Sequence, residues 1–456
     1  MARALDAGDP VCVIGGGWAG CAAAVTLAQA GTRVALYEAA AVLGGRARGV
    51  ARDGLALDNG EHLLLGAYVE TRRLAALVHG GAARVPWTQA PLAMAPLAPS
   101  RQRAITLRAR SLPAPYGLLL GLLGARGFTW RERWATIRWF AALKRRGFRC
   151  QPDATVAELL SALPSQVADR LWAPLCLAAL NTPAERASGQ VFANVLRAAF
   201  DETADGADML RPTQDLSELF PAAGARWLAA QGHSVYVRAS LTVTATSDDA
   251  ITLRNRDREW RTRAVIVAVG PHQLAHAFDA AAQSADPRIA ALLADVGRLA
   301  YEPITTIYVG YRGECVLPAG LVRLDDEPGQ WLLNRPDIVA RAGAGAPALD
   351  RLFAVIISAQ GPHNALTHPV LAAMCDAQLR RLLPSLPPLA WSQVIEEKRA
   401  TYACTPTRAR PSGPRIVTGV YLAGDYVNPE FPATLEAAVR SGIAAAEALL
   451  SDRSVE

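Results

Sequence analysis

The stretch that decides the fold is VCVIGGGWAG, residues 11–20. A short apolar run enters a glycine-rich turn in which Gly15, Gly17 and Gly20 fit the pattern G-x-G-x-x-G. In a dinucleotide fold the first glycine permits the tight turn, the second lets the backbone approach a pyrophosphate, and the third lets helix and strand pack closely. The helix that follows presents free N–H groups to the phosphates. We therefore predict that this turn, with Trp18 and Ala19, contacts a dinucleotide.

The next residues complete a β-α-β unit. Residues 18–30 have the small-residue composition of a packed helix, Gly31 suits its C-terminal cap, and RVALY at 33–37 predicts the second strand. Glu38 ends that strand eighteen residues after Gly20. A carboxylate at this place accepts the hydroxyls of the adenosine ribose and repels a 2′-phosphate, so NADP is disfavoured.

Two further segments bear on which dinucleotide is bound. LGGRA at 43–47 brings backbone N–H groups and the Arg46 guanidinium towards a pyrophosphate, which nicotinamide-binding folds do not need. Near the other end of the sequence, YLAGD at 421–425 predicts a strand ending in Gly-Asp. PATLE at 432–436 then predicts a helix with Pro432 near its first position.

These motifs, in this order, resemble those of the amine oxidase and phytoene desaturase flavoproteins. The resemblance implies bound FAD, with Gly44, Gly45 and Arg46 at the pyrophosphate and with Gly424 and Asp425 near the ribityl phosphate. It also implies that the helix start at Thr434 and Leu435 points at the isoalloxazine ring, where its dipole stabilises reduced flavin. Gly60, Glu61, His62 and Leu241 are expected to contact FAD as well.

Length and composition agree with a folded enzyme of more than one domain. The chain has 456 residues, 51% of them hydrophobic, and a mean hydropathy of +0.14. Seven scattered cysteines without a C-x-x-C pair argue against a disulfide framework and a zinc site, and we expect no metal. We predict an α/β, two-domain FAD-dependent oxidoreductase with a Rossmann-like FAD domain and a mixed sheet plus helical substrate domain. The predicted segments are 1–90, 213–300 and 412–456 for the FAD domain, 91–212 for a mainly helical substrate or membrane-facing region, and 301–411 for the substrate-domain sheet and helices.

Longer stretches resemble a narrower family, the hydroxysqualene dehydroxylases. They are LDNGEHLLLGAY at 57–68, PLCLAALNTP at 174–183, AS at 187–188, and residues 423–442. The resemblance implies a long-chain isoprenoid substrate and reductive removal of the hydroxyl of hydroxysqualene, giving squalene for hopanoid synthesis. A hydride from reduced flavin N5 would replace the hydroxyl after its protonation and loss as water.

Loss of water from an allylic alcohol leaves a delocalised cation, so this chemistry needs a dry, apolar pocket and a proton donor. Glu61 and His62 are the candidate catalytic residues, because the corresponding loop lies near the flavin in the wider fold. The family tends to Gln at position 61, so both residues remain open to a purely hydrogen-bonding role. Weaker candidates from the other side of the site are Tyr301, Glu302 and Tyr426.

Several alternatives stay open at this point. A carotenoid-type desaturase and an amine oxidase share the cofactor motifs, and a prenyl-binding escort protein shares the fold class without needing flavin. No second G-x-G-x-x-G accompanies the first, so the electron donor is expected to be external and unknown.

A basic aromatic segment lies at residues 126–149. It holds eight Arg or Lys against the single Glu132, while the whole chain carries a net charge of +6. Trp130, Trp134, Ile137 and Ala141 fall on one face of a predicted helix, which suits either contact with an anionic membrane or a solvated face over a packed core. Nucleic acid is not an expected partner, since no recognition motif accompanies the charge. The first ten residues have no apolar run and no spanning helix is predicted, so we expect a cytoplasmic protein, peripheral on the inner face of the membrane if the segment binds lipid.

Overall fold

A computed structural model describes residues 10–97, 105–113, 116–247, 250–318, 320–406, 411 and 413–455. Its first sheet is the dinucleotide fold. The six strands, in spatial order, are β10 (Ser234–Tyr236), β2 (Val34–Tyr37), β1 (Val11–Ile14), β14 (Val265–Val267), β21 (Val420–Leu422) and β20 (Arg415–Val417). All neighbours pair in parallel except the last two. The inner strands β1, β2, β14 and β21 are buried along their whole length, as expected of a parallel sheet covered on both faces.

The glycine-rich turn packs its helix tightly onto this sheet. The helix α1 (Trp18–Gln29) begins directly after the turn, and Gly31 after its end has a positive φ of 77°. A Cβ at Gly20 would lie 1.9 Å from the carbonyl oxygen of Gly15, so only glycine permits this close approach. A second helix, α15 (Leu435–Val455), packs beside α1.

A second large sheet lies in the substrate domain. Its seven strands, in spatial order, are β19 (Leu389–Tyr402), β15 (Tyr301–Tyr311), β18 (Arg351–Ser358), β17 (Trp331–Asn334), β16 (Leu321–Arg323), β7 (Ala93–Pro96) and β8 (Leu107–Arg108). It is mixed, because β16 and β7 pair in parallel and the other neighbours pair antiparallel. The sheet and helices together confirm the predicted α/β two-domain class.

Smaller sheets and the remaining helices connect these two layers. The smaller sheets are β3 (Gly49–Arg52) with β4 (Leu55–Asp58); β5 (Leu64–Leu65), β9 (Met209–Pro212) and β6 (Trp87–Ala90); and β11 (Thr242–Thr246), β12 (Ile251–Arg254) and β13 (Glu259–Thr262). The helices, besides α1 and α15, are α2 (Val69–Val78), α3 (Tyr116–Gly124), α4 (Trp130–Arg145), α5 (Val156–Leu160), α6 (Ser165–Val167), α7 (Ala173–Leu180), α8 (Gly189–Arg197), α9 (Leu216–Leu219), α10 (Pro221–Ala230), α11 (Ala280–Ala285), α12 (Pro287–Gly297), α13 (Pro336–Ala340) and α14 (His368–Leu382).

Two local expectations differ from the structure. Residues 91–212, predicted to be mainly helical, also contribute β7 and β8 to the seven-stranded sheet. These strands were not predicted, because single short strands give little periodic signal. The last helix begins at Leu435, so Pro432, which was expected near its first position, precedes the helix by three residues. The predicted segment boundaries stay a prediction. The start of the first segment (residues 1–9) and the start of the last segment (residue 412) lie outside the described residues.

None of the helices in the described ranges is both long enough and apolar enough to cross a membrane.

Candidate active site

A cavity of about 520 Å³ lies at the carboxyl edge of the parallel sheet. This edge is where doubly wound folds bind dinucleotides, beside the first β-α turn. Most of the residues predicted to contact FAD line it: Gly15, Gly17, Trp18, Ala19, Glu38, Gly44, Gly45, Arg46, His62, Leu241, Gly424, Asp425, Thr434 and Leu435. The predicted residues outside its lining are Gly20, which packs α1 onto the sheet, and Gly60 and Glu61, which line a second cavity.

Backbone around the glycine turns leaves room for a bound pyrophosphate. A Cβ placed on Gly17 would meet only the Cα of Gly45, at 3.9 Å. The two glycine turns are tied together, because the Gly44 N–H donates to the Gly16 carbonyl at 2.9 Å. A second observation also favours a polar ligand: Nδ1 of His272, another lining residue, is buried without a hydrogen-bond partner. The cavity therefore fits a dinucleotide such as FAD.

Glu38 is held at the end of β2 by backbone donors. One carboxylate oxygen accepts from the Gly16 N–H and the other from the Ala40 N–H, both at 2.7 Å. These bonds fix the carboxylate beside the glycine turn and at the wall of the cavity. The position agrees with the ribose-binding role predicted for Glu38, which stays a prediction.

An ion pair at the wall of the FAD cavity joins segments that are far apart in the sequence. Arg46 donates from Nη2 to Asp425 Oδ1 at 2.7 Å and from Nη1 to the Ala400 carbonyl at 2.8 Å. Only 6% of the Asp425 side chain and 25% of the Arg46 side chain are exposed, so the pair is partly shielded from water and salt. The pair brings together the GGR turn, the Gly-Asp strand end and β19.

A second, apolar cavity of about 280 Å³ adjoins the first. Its walls come mainly from α7, α8 and the seven-stranded sheet. Its larger apolar side chains are Leu63, Leu65, Leu92, Leu175, Phe192, Leu196, Phe200, Ile304, Leu321, Trp331, Leu333, Ile356, Phe431 and Leu435. The two cavities share Arg46, His62, Glu397, Ala400 and residues 433–435. An apolar ligand there would meet the cofactor across this shared wall.

Thr434 and Leu435 form the end of α15 that faces both cavities. The Thr434 hydroxyl accepts from the Ala437 N–H at 3.2 Å, which caps the helix. The positive end of the helix dipole therefore lies at the junction, where negative charge on a bound ring is stabilised.

Glu61, the first catalytic candidate, lies in a buried cluster of charged groups. Its carboxylate accepts from Arg335 and, at 3.5 Å, from the Tyr308 hydroxyl. Arg335, only 1% exposed, also contacts Asp58 at 3.5 Å and Asp337 at 3.0 Å. Three carboxylates thus surround one guanidinium. Burial raises the pKa of Asp58 to about 7 against the opposing effect of Arg335, and burial likewise raises the pKa of Glu61.

His62, the second candidate, lies at the junction of the cavities. Its Nδ1 is 2.7 Å from the Gly60 carbonyl oxygen. Because a carbonyl only accepts, Nδ1 carries a proton and the neutral ring has Nε2 as an acceptor. Burial lowers the pKa of His62, which favours this neutral form.

The three weaker candidates lie outside both cavity linings, although the Tyr301 ring packs edge-on against His272 of the FAD cavity with ring centroids 6.2 Å apart. Among the described residues, those that line the two cavities do not include Tyr301, Glu302 or Tyr426. Glu302 is buried and pairs with Arg186 at 2.7 Å, and the Tyr426 hydroxyl donates to the Val269 carbonyl at 3.3 Å. Their positions favour structural roles.

Sequence reasoning missed Glu397, Arg335 and His272. Glu397 and His272 line the cofactor cavity, and Arg335 holds Glu61 from 274 residues away. None lies in a motif. Arg335 is followed by Pro-Asp-Ile at the start of a short helix, and His272 is preceded by Gly-Pro. Neither sequence indicates a cofactor or substrate contact.

The comparison with protein families decides the class. The model of flavin-containing amine oxidoreductases matches residues 18–450. This chain belongs to that family. The flavoprotein therefore uses FAD and is an oxidoreductase, which confirms the predicted cofactor and the predicted enzyme class.

Individual relatives agree with the narrower resemblance. A hydroxysqualene dehydroxylase from Rhodopseudomonas palustris is 29% identical to the flavoprotein, with 96% of this chain and 98% of that protein covered. One from Sinorhizobium fredii is 27% identical with the same coverage. The predicted resemblance is thus confirmed.

Solved structures share the fold at low identity. An oxidoreductase from Methanosarcina mazei superposes with a TM-score of 0.73 at 14% identity, covering 96% of the flavoprotein and 100% of that chain. Cyclohexylamine oxidase from Brevibacterium oxydans gives a TM-score of 0.68 at 17% identity, covering 98% and 99%. These likenesses establish the two-domain fold.

Within the described residues, no group of three or more His, Cys, Asp or Glu side chains is arranged to hold a metal ion.

Proposed function

We propose that this flavoprotein removes the hydroxyl group of hydroxysqualene reductively, giving squalene for hopanoid synthesis. The observation that carries the proposal is the apolar cavity that shares a wall with the FAD cavity. Relatives named hydroxysqualene dehydroxylase, aligned over 96% of the chain, supply the substrate class. A long isoprenoid fits walls made of Leu, Phe, Ala and Trp side chains, whereas a small polar substrate would leave those walls unmatched.

When bound, reduced FAD supplies a hydride to the carbon that loses the hydroxyl. The apolar side chains of α7 and α8 keep water away from the cation that forms when the hydroxyl departs. The start of α15 and the Arg46–Asp425 pair hold the shared wall in place. Substrate and cofactor would thereby be held next to each other across this wall.

The two catalytic candidates have distinct roles in this proposal. Neutral His62 accepts a hydrogen bond from the substrate hydroxyl at Nε2, and so orients it at the junction. Glu61 lines the apolar cavity, but Arg335 and Tyr308 hold its carboxylate, which makes it a positioning residue for the 60–62 loop. Electrons reach the flavin from an external donor, since the sequence has one dinucleotide turn.

We also propose that residues 126–149 contact an anionic membrane. The helix α4 buries Thr136, Trp139, Phe140 and Leu143, whereas Trp130 is 63% exposed and Trp134 is 55% exposed. The two Trp side chains of the face noted in the sequence therefore point outward, whereas Ile137 of the same face packs partly against the core.

Neighbouring residues extend this outward face. On the adjacent helix α3, Tyr116 is 58% exposed and Leu120 is 41% exposed. The same segment of the chain also carries exposed basic side chains, at Arg126, Arg131, Arg138, Arg145, Arg146 and Arg149. Aromatic side chains within a basic rim suit the headgroup region of an anionic bilayer.

This surface lies one layer from the substrate cavity. The Phe140 ring on α4 packs edge-on against the Phe200 ring, with ring centroids 6.3 Å apart, and Phe200 lines the apolar cavity. A substrate dissolved in lipid would have a short path from the bilayer to the cavity. The protein is accordingly proposed to be peripheral on the inner face of the cytoplasmic membrane.

The decisive experiment is anaerobic single turnover. Protein with reduced FAD is mixed with hydroxysqualene, flavin oxidation is followed by absorbance, and the product is identified by mass. We expect one equivalent of squalene per flavin oxidised. A different result would overturn this proposal. If hydroxysqualene does not oxidise the reduced enzyme, while phytoene or a simple amine reduces the oxidised enzyme, the protein is instead a desaturase or an amine oxidase.

A further inference from the structure

The proposed reaction needs a proton at the departing hydroxyl, and both sequence candidates are poorly suited to supply it. Neutral His62 has an acceptor nitrogen towards the site, and the Glu61 carboxylate is bound by Arg335. Glu397 is placed differently. Among the described residues that line the two cavities, it is the only carboxylate common to both linings.

An irregularity in the sheet puts Glu397 at this junction. Along the β15–β19 ladder, Ile304 pairs with Glu397 and Glu302 pairs with Thr401, so β19 has three residues where β15 has one. The single residue on β15 is Pro303, which has no N–H to donate to the ladder. Bulges of this kind redirect side chains and recur beside active sites.

Hydrogen bonds fix the Glu397 carboxyl group. Asn59 donates from Nδ2 to Oε2 at 3.0 Å, and the Arg399 N–H donates towards Oε1 at 3.3 Å. Asn59 Nδ2 also lies 3.0 Å from the Arg46 carbonyl oxygen. Glu397 is therefore tied to the same loop that bears His62.

We propose that Glu397 is the proton donor to the departing hydroxyl, which extends the proposed function. The C–O bond breaks with its electron pair on oxygen, and the oxygen takes the Glu397 proton and leaves as water. The carbon receives the hydride that reduced FAD supplies, leaving oxidised FAD, and the Glu397 carboxylate regains a proton from solvent.

An apolar substrate prepares Glu397 for this role. Filling the cavity with an apolar substrate excludes water from the half-buried carboxyl group, so that this group faces the substrate instead of solvent. The charged and titratable groups around it are Arg46 and Asp425 in the FAD cavity, His62, His272 and Glu61 on neighbouring loops, and Lys398 and Arg399 on its own strand. Arg46 is paired with Asp425.

The test compares Glu397→Gln with Glu396→Gln, both loaded with FAD. Glu396 is the next residue on β19, bonds Asn364 at 2.9 Å and lies in neither cavity lining. We expect E397Q to slow flavin oxidation by hydroxysqualene at least about a hundredfold, the usual effect of losing a general acid. E396Q should match the wild type.

Two further measurements separate proton donation from structural damage. Infrared difference spectra on substrate binding to the oxidised enzyme, where no turnover occurs, should show a protonated carboxyl band in wild type and E396Q but not in E397Q. The acetate ester of hydroxysqualene, whose leaving group needs no proton, should restore most of the E397Q rate.

The outcomes are distinguishable. A wild type that does not react with hydroxysqualene overturns the proposed function, whereas a reactive wild type matched by E397Q overturns only the role of Glu397. Equal slowing of alcohol and ester also overturns it. If E397Q does not retain FAD, the variant Glu397→Asp is measured in its place. An infrared band of the protonated carboxyl group that is unchanged in this variant contradicts its assignment to Glu397.

Discussion

The Arg46 guanidinium and the Asp425 carboxylate form a 2.7 Å ion pair across 379 residues of sequence. The pair joins the GGR turn to the Gly-Asp strand end at the wall of the FAD cavity. We expect Asp425→Asn to weaken FAD binding at least about tenfold, about 1.4 kcal/mol, since it leaves Arg46 without its partner near the cofactor. Flavin fluorescence titration measures this. The control is Asp295→Asn, which breaks an exposed pair with Arg298 and should not change FAD affinity.

Glu38 offers a second measure of the same cavity. We expect Glu38→Ala to weaken FAD binding by about ten- to a hundredfold, because the ribose loses an acceptor and the Gly16 N–H loses its partner. Equilibrium dialysis of FAD gives the affinity. The exposed Glu447→Ala on α15 serves as the control, and equal retention by the two variants would remove Glu38 from the binding site.

The pKa of Asp58, raised by burial to about 7 from 3.8, predicts a pH dependence of stability. The folded state binds this proton more tightly than the unfolded state, so stability falls as pH rises from about 4 to about 7 and then levels off. A tenfold difference in proton affinity corresponds to about 1.4 kcal/mol, so the whole decrease is a few kcal/mol at most. Asp58→Asn should flatten the profile in urea unfolding at several pH values. A variant whose slope equals the wild-type slope would contradict the assignment.

Arg335 balances the three carboxylates Asp58, Glu61 and Asp337. Removing it with Arg335→Met leaves buried negative charge uncompensated, and we expect a loss of about 3–5 kcal/mol in unfolding free energy. Arg341→Met is the matched control, since Arg341 is 31% exposed and its contact with the Asp337 carboxylate is 3.5 Å long; its loss should be about 1 kcal/mol or less. Chemical denaturation that shows equal losses for both would disprove the buried cluster.

The outward face of α4 predicts lipid binding. We expect the wild type to float with anionic vesicles at low salt, and Trp130→Ser combined with Trp134→Ser to reduce binding at least about tenfold. Val316→Ser, at a position 85% exposed and remote in sequence, should bind like the wild type. High salt should weaken binding by screening the basic rim. Absence of flotation by the wild type would restrict α4 to a solvated role.

The cofactor half of the site was predictable because its information is local. Gly15, Gly17 and Glu38 lie within one β-α-β unit, and each backbone or carboxylate role follows from its place in that unit. The helix α15 begins three residues after Pro432, which was expected near its first position, since residues 432–434 are irregular.

The substrate half was not predictable, because its contacts join distant segments. The apolar cavity takes walls from α7, α8 and the seven-stranded sheet, which no spacing rule connects. Arg335 reaches Glu61 across 274 residues, and Glu397 reaches the junction through a bulge that no periodicity announces. The aromatic face of α4 was visible in the sequence, but its outward direction depends on which side packs against α3 and Phe200.

The strand order of the first sheet bears on when the cofactor can load. β1, near the start of the sequence, pairs with β14, which pairs in turn with β21, and α15 covers α1. Translation delivers the early motif hundreds of residues before its partners, so a nascent chain on the ribosome exposes half a binding cleft. The complete cleft therefore forms only after β21 and α15 have been synthesised, and we expect tight FAD binding to follow that point.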